Sequence, residues 1–244
     1  MSEKQRIETV YTHYQNDPSR QSRYSVFRPE VLNERQNLER AQLALLARHG
    51  FSQRMGSARV LDIGAGSGSF GLRALGWGVA PEHLTLNEIF SPRLEQARRN
   101  LPSGVRFLEG DAAQLGPEHD GAYDIVTLNT VLSSVLGDAA RQALCRRVYA
   151  LLAPGGVALI YDFTFDNPAN PNVRRVTRAQ LRSLFPEAAL SFRSLTLAPP
   201  LSRRVGQIPL IGRALLRLLN LPPLRTHLLT CVCRQADAPT EKNS

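Results

Sequence analysis

Cysteine is scarce in this chain. Three residues in 244, Cys145, Cys231 and Cys233, are too few for a disulfide framework. Two of them alternate within one apolar stretch, LLTCVCR, and the odd total fits reduced thiols. No histidine or cysteine cluster has metal-ligand spacing, so no metal is expected. Long apolar runs are also missing. The longest, IVTLNTVLSSVLG, lies between Asp124 and Asp138 and falls short of the ~18 residues a membrane span needs. The first ten residues, MSEKQRIETV, are charged throughout, so a secretory signal is not expected. These absences lead to the expectation of a cytoplasmic protein, peripheral at most to the inner membrane face.

Acid is nearly absent from one third of the chain. Between Pro171 and Arg234 stand eleven arginines, no lysine and one acid, Glu187, within a formal net charge of +9. Such a surface calls for an anionic partner: a phosphate-bearing substrate, lipid headgroups or nucleic acid. Residues 208–221 within that span have no aromatic platforms for unstacked bases, which argues against nucleic acid.

What is present is a regular alternation of strand and helix signals, with 43% hydrophobic residues to fill a core. RVLDIG, HLTLNEI, GVRFLEGD, YDIVTLN and VALIYDF read as strands, and SLTLA and HLLTCVCRQ as two late ones. SFGLRALGWG, SPRLEQARRNL and DAARQALCRRVYALLAPGG read as helices, the second opened by Ser91 with Pro92 behind it and the last stopped by Pro-Gly-Gly. The fold class predicted is α/β, a doubly wound, mostly parallel seven-stranded sheet with helices on both faces. Residues 1–50 add a polar, aromatic lid segment and a helix over about 30–48, and residues 51–198 form the core. Residues 199–226 are a basic insert, 227–235 the last strand, and 236–244 a polar, disordered tail; MSEKQ at the other end reads as disordered too.

The stretch VLDIGAGSG places Gly64, Gly66 and Gly68 in the first strand-to-helix turn, at the edge where open α/β sheets bind ligands. A phosphate-binding P-loop requires a lysine that is missing here. Gly66, Gly68 and Gly71 spell a dinucleotide fingerprint, one glycine late in register. An NAD-dependent reductase, or a non-catalytic module of the same fold, is the competing reading. The other strand ends weigh against it. Asp62 precedes the loop, Glu88 ends the second strand where a carboxylate accepts from both ribose hydroxyls, and Asp111 follows the third where it accepts from an adenine amino group.

With LLAPGG before the fifth strand, these spaced signals resemble the class I S-adenosylmethionine-dependent methyltransferases over residues 58–165. The resemblance implies S-adenosylmethionine as cofactor. It implies that Gly64, Ala65, Gly66 and Gly68 approach the cofactor's amino-acid portion, with Asp62 ordering the loop. Glu88 would hold the ribose, Ile89 or Phe90 would pack on adenine, Asp111 and the Ala112 backbone would read its edge, and Asn129 would face the methionine part or the acceptor.

For the acceptor, the turn after strand four is NTVLSS and not the N-P-P-Y type used on adenine or amide nitrogens. The stretch YDFTFDNPANPNVRRV supplies Asp162 and Asp166 as candidate bases, and Asn167, Asn170 and Arg174, with Tyr24, as candidate acceptor contacts. With RYSVFRP and LTLAPPLSRR, this loop also resembles bacterial methyltransferases of surface-polysaccharide gene clusters. That implies O-methylation of a sugar hydroxyl on a glycan or lipid-linked saccharide; a small-molecule acceptor of secondary metabolism is the alternative. IPLIGRALLRLLNL, residues 208–221, reads as an amphipathic helix for a membrane surface, a lid or a subunit contact. His49, His83 and His119 read as surface loop residues and His227 as structural.

Overall fold

The structure is a computed structural model describing residues 3–15, 17, 22–168 and 170–236. Of the tail expected to be disordered, residues 236–244, all but the first lie outside the described residues. The other expected disordered end does not hold: helix α1 already starts within it, spanning Glu3–Gln15.

Seven strands form one sheet in the order β3-β2-β1-β4-β5-β7-β6. They are β1 (Val60–Ile63), β2 (Leu84–Glu88), β3 (Arg106–Glu109), β4 (Tyr123–Asn129), β5 (Leu152–Phe163), β6 (Ala189–Leu197) and β7 (Arg225–Cys233). β7 runs antiparallel between β5 and β6; every other pairing is parallel. β1 and β2 are buried along their whole length, as parallel strands covered on both faces must be.

Helices cover both faces. On one side α2 (Pro29–Arg48), α3 (Ser69–Gly76) and α4 (Ser91–Asn100) bury Leu46, Phe70 and Ala97 against Leu84, Leu86 and Leu159. On the other, α5 (Asp138–Leu151) and α6 (Arg178–Leu184) bury Val148 and Leu181 against Val126, Leu128 and Ile160. α7 (Pro199–Gly206) and α8 (Gly212–Leu218) make a small third cluster from Val205, Leu216 and Leu197. None of the described helices is long and apolar enough to cross a membrane.

Local chemistry alters four of the sequence expectations. The Pro-Gly-Gly turn does not stop a helix: α5 ends at Leu151, and the glycines lie inside β5, whose pairing with β4 jumps there from Tyr123↔Leu152 to Ile125↔Val157. A side chain at Gly156 would meet the Ala153 carbonyl at 2.8 Å, which is why the bulge carries a second glycine. Ser91 does not cap α4; it gives its hydroxyl to Glu109, and Phe90 is the cap residue. α6 was not expected, although Thr177 and Gln180 close a reciprocal capping box at its start. Residues 208–221 are not one helix, because only Gly212–Leu218 is helical.

Candidate functional site

The glycine turn is shaped by three left-handed residues, with φ of +67° at Gly64, +57° at Gly66 and +85° at Gly68. At Gly64 glycine is required twice over, since a Cβ there would also stand 2.6 Å from Val131 Cγ2. At Gly66 a Cβ would meet nothing within 4 Å. That residue therefore presents bare backbone to open space, as a cofactor cradle requires. The loop is pinned from β2: the Ala65 amide donates to the Asn87 carbonyl at 3.0 Å, and the Gly66 amide donates to Glu88 Oε2 at 2.8 Å.

Glu88 is buried, and its Oε1 accepts from the Phe90 amide at 3.0 Å. Each carboxylate oxygen thus takes one backbone donor and keeps a lone pair for a ligand hydroxyl. Asn87 spans to β3, donating to the carbonyls of Leu108 and Gly110 at 3.1 and 3.0 Å. This fixes the next turn, where exposed Asp111 accepts from the Ala113 amide at 2.9 Å and Ala112 is buried. Ile89 is half-buried beside them. Asp62 lies beneath the loop, wholly buried, and accepts from Thr127 Oγ1 at 2.7 Å; burial pushes its carboxyl up to about 7. Asp62 is thus tied to β4 at the foot of the loop.

Helix α1 crosses these strand ends. Its Arg6 guanidinium donates to the Ser134 carbonyl, after β4. Tyr14 donates to Asn170 Oδ1 at 3.0 Å, after β5. Tyr11 stacks on Phe90, after β2, with ring centroids 6.3 Å apart and the Arg93 guanidinium 4.2 Å over its own ring. One helix so gathers three of the loops around the glycine turn.

The two carboxylates expected to act as bases are both engaged by backbone amides. Asp162 is 1% exposed and accepts from the amides of Ser133 and Phe163 at 3.0 and 3.1 Å. Asp166 is exposed but accepts from the Arg175 amide at 2.8 Å and faces its guanidinium at 3.5 Å. Arg174, expected to contact an acceptor, forms an ion pair with Asp138. Asn170 is taken by Tyr14 and by the Asn172 amide, while Asn167 lies in the same loop. Tyr24 is 51% exposed, ahead of α2.

Beside Asn129, which the sequence singled out, the fold assembles a polar cluster whose other members sequence reasoning missed. Asn129, at the end of β4, accepts from Gln42 Nε2 of α2 at 3.3 Å and pairs in register with Tyr161 of β5. Tyr161 is buried; its hydroxyl donates to Glu34 Oε1 of α2 at 3.1 Å and lies 2.5 Å from Thr196 Oγ1. His227 stacks on the Tyr161 ring at 5.0 Å, and burial lowers its pKa to about 4, so it is neutral. Burial raises the Glu34 carboxyl above its usual range, against the Tyr161 hydrogen bond and the nearby Arg203 charge. Two β-branched residues beside Tyr161 hold left-handed backbones, Thr130 at φ +57° and Thr196 at φ +61°. Such strain is concentrated at functional sites.

Residues 60–156 match the family described as "Methyltransferase domain". Among curated proteins, the chain is 31% identical over 136 residues to the highly reducing polyketide synthase sorA of Penicillium rubens, covering 50% of this chain and 5% of that protein. It is 29% identical over 107 residues to the methyltransferase str3 of Strobilurus tenacellus, covering 44% of this chain and 36% of that one. The chain thus spans well under two thirds of either relative. Among solved structures, magnesium protoporphyrin IX methyltransferase from Synechocystis PCC 6803, with bound S-adenosylhomocysteine, superposes with a TM-score of 0.62 at 16% identity, covering 93% of this chain and 99% of that one. An S-adenosylmethionine-dependent methyltransferase from Mesorhizobium loti gives 0.54 at 18% identity, covering 72% and 91%. The open cradle at Gly66 and the spare lone pairs of Glu88 fit S-adenosylmethionine. Residues 60–156 thus match a methyltransferase-domain family and lie within a Rossmann-like fold shared with S-adenosylmethionine-dependent methyltransferases.

Proposed function

We propose that this chain transfers a methyl group from S-adenosylmethionine to a hydroxyl oxygen, with a sugar hydroxyl of a glycan or lipid-linked saccharide as the acceptor. When bound, the cofactor supplies an electrophilic methyl group on a sulfonium. The chain binds it through the Gly64–Gly68 turn and Glu88, and α1 covers the site from water. What the protein must add is alignment of the nucleophile and a place for its proton. The observation that carries an oxygen acceptor is the Glu34–Tyr161–Thr196 cluster beside Asn129, a desolvated carboxylate with a hydroxyl relay at the strand ends. Asn129 and Gln42 orient the acceptor, and Glu34 takes the hydroxyl proton. The 31% match to part of a polyketide synthase favours a second acceptor, a hydroxyl of a small secondary metabolite.

The test is methyl transfer from labelled S-adenosylmethionine to panels of saccharides, glycolipids and polyketide-type hydroxyls, in wild type and Glu34→Gln. Glu34 acts as a base only when ionised, and burial raises its pKa. The kcat of the wild type should therefore rise with pH through a carboxyl titration above the usual glutamate range. Glu34→Gln should lose that limb and ~100-fold in kcat while keeping its affinity for S-adenosylhomocysteine. An unchanged pH profile in the variant removes Glu34 from the proton's path.

A lipid-linked acceptor is supported by the insert. Leu210 is fully exposed at 102% and held at φ +65°, with Ile211, Leu218 and Leu221 also exposed at 55%, 68% and 54%. Arg204, Arg213 and Arg217 are exposed beside them. Apolar tips ringed by arginine suit an anionic bilayer surface. The protein should float with vesicles containing phosphatidylglycerol and not with neutral ones, and Arg213→Glu/Arg217→Glu should abolish flotation. Absence of the wild type from the anionic vesicle fraction rejects this surface as a membrane contact.

A further inference from the structure

At the sheet edge opposite the glycine turn, three soft or borderline donors converge. His49 Nε2 lies 3.6 Å from Cys231 Sγ and 3.5 Å from Cys233 Sγ, and the two sulfurs are 3.6 Å apart. The sequence reading expected no metal, placed His49 in a surface loop and left the thiols as strand residues. The fold closes a separation of 182 and 184 residues between the histidine and the two cysteines. We propose that His49, Cys231 and Cys233 form a zinc site that ties the end of α2 to β7.

The triangle has the dimensions of one face of a tetrahedron around zinc. Zinc–sulfur bonds of ~2.3 Å and a zinc–nitrogen bond of ~2.05 Å at tetrahedral angles put the donor atoms ~3.6 to ~3.8 Å apart. A disulfide requires ~2.05 Å between sulfurs, so the observed separation is not one. Each donor stands on a rigid support. Cys231 and Cys233 are two apart in β7 and so share a face of the sheet. Their spacing is fixed on both sides, by Leu159 and Val157 of β5 and by Ser191 and Ala189 of β6. His49 is the cap residue of α2, with its amide bonded to the carbonyls of Leu45 and Leu46.

Electrostatics agree with this assignment. Two thiolates and a neutral imidazole cancel the charge of a divalent cation, so the complex carries no net charge into a half-buried position. Cys231 is buried, Cys233 is half-buried and His49 is exposed, which turns the fourth coordination position toward solvent. Water or an external ligand would fill it. The site lies beside Val157 and Leu159, where the β5–β7 pairing begins, whereas the Glu34–Tyr161 cluster lies nearer the C-terminal end of β5.

The experiment is cobalt titration of the full chain, reduced and stripped with chelator. Wild type should develop thiolate-to-cobalt charge-transfer bands and intense tetrahedral d–d bands, saturate near ~1 equivalent, and lose them on addition of zinc. Zinc should also raise its melting temperature. His49→Ala replaces an exposed side chain and should fold as the wild type does, yet bind cobalt at least ~10-fold more weakly and show no zinc-dependent rise in melting temperature. Cys233→Ser should lose most of the charge-transfer intensity. Cys145→Ser, which alters a buried thiol on the other face of the sheet, should leave the spectrum unchanged. A wild type without charge-transfer bands overturns the site. So does a spectrum that His49→Ala leaves intact, or a Cys231–Cys233 disulfide found by mass spectrometry in the unreduced protein.

Discussion

Gly66→Ala should leave the protein folded and cost it 10- to 100-fold in affinity for S-adenosylhomocysteine, an estimate of about 1–3 kcal/mol for overpacking a fitted surface. Its backbone is left-handed at φ +57°, so alanine there adds ~1 kcal/mol of strain. Its Cβ would meet no protein atom within 4 Å. The methyl group would instead project into the space the cradle leaves for its ligand. Gly64→Ala is the contrasting variant. There the Cβ would press on Val131 Cγ2 at 2.6 Å, and valine has little rotamer freedom to yield. That variant should lose stability as well as affinity, by about 2–4 kcal/mol from strain and overpacking together. Calorimetric titration paired with thermal melting separates the two. Equal affinity of Gly66→Ala and wild type would place the ligand away from this turn.

The half of the site built by the glycine turn was legible because its determinants are local. A strand, a glycine turn and a carboxylate at the next strand end leave a readable pattern within about thirty residues, and Glu88 lies on the loop that the pattern implies. The acceptor half was not legible, because proximity there is tertiary. Glu34 and Tyr161 are separated by 127 residues, and nothing in the polar face of α2 distinguishes Glu34 from Glu30 or Glu39. The same holds for His49 and its two cysteines. The polar stretch from Asp162 to Asn172 misled for a physical reason. Aspartate and asparagine are as useful for fixing turns as for chemistry, and here Asp162, Asp166 and Asn170 all accept backbone amides. One available signal was overlooked: Thr177 followed by Gln180 is a capping box, and it announces α6. The insert differs in kind. Its leucines keep a helical period, but the helix stops at Leu218, leaving Leu221 exposed and Leu210 outside it altogether.

Asp162 provides the sharpest test of whether a carboxylate at the sheet edge is chemical or architectural. Asp162→Ala should lower the unfolding free energy by about 2–4 kcal/mol, because it removes the buried acceptor of two backbone amides and leaves the Ser133 amide unsatisfied. Asp166→Ala should cost less than about 0.5 kcal/mol, since its ion pair with Arg175 is solvent-exposed. Burial raises the Asp162 carboxyl to about 6 in the folded chain, above the usual aspartate range. The folded state therefore holds this proton longer than the unfolded one. The stabilisation tied to the proton is complete below the unfolded pKa and is lost as pH rises through about 6. Asp162→Asn keeps an acceptor and cannot ionise. Its stability relative to wild type should improve between about pH 4 and pH 7, in chemical denaturation followed at each pH. Once an acceptor is in hand, the same variant should retain methyl transfer within a few fold where it is folded. A large fall in kcat at unchanged stability would instead return Asp162 to the role of base.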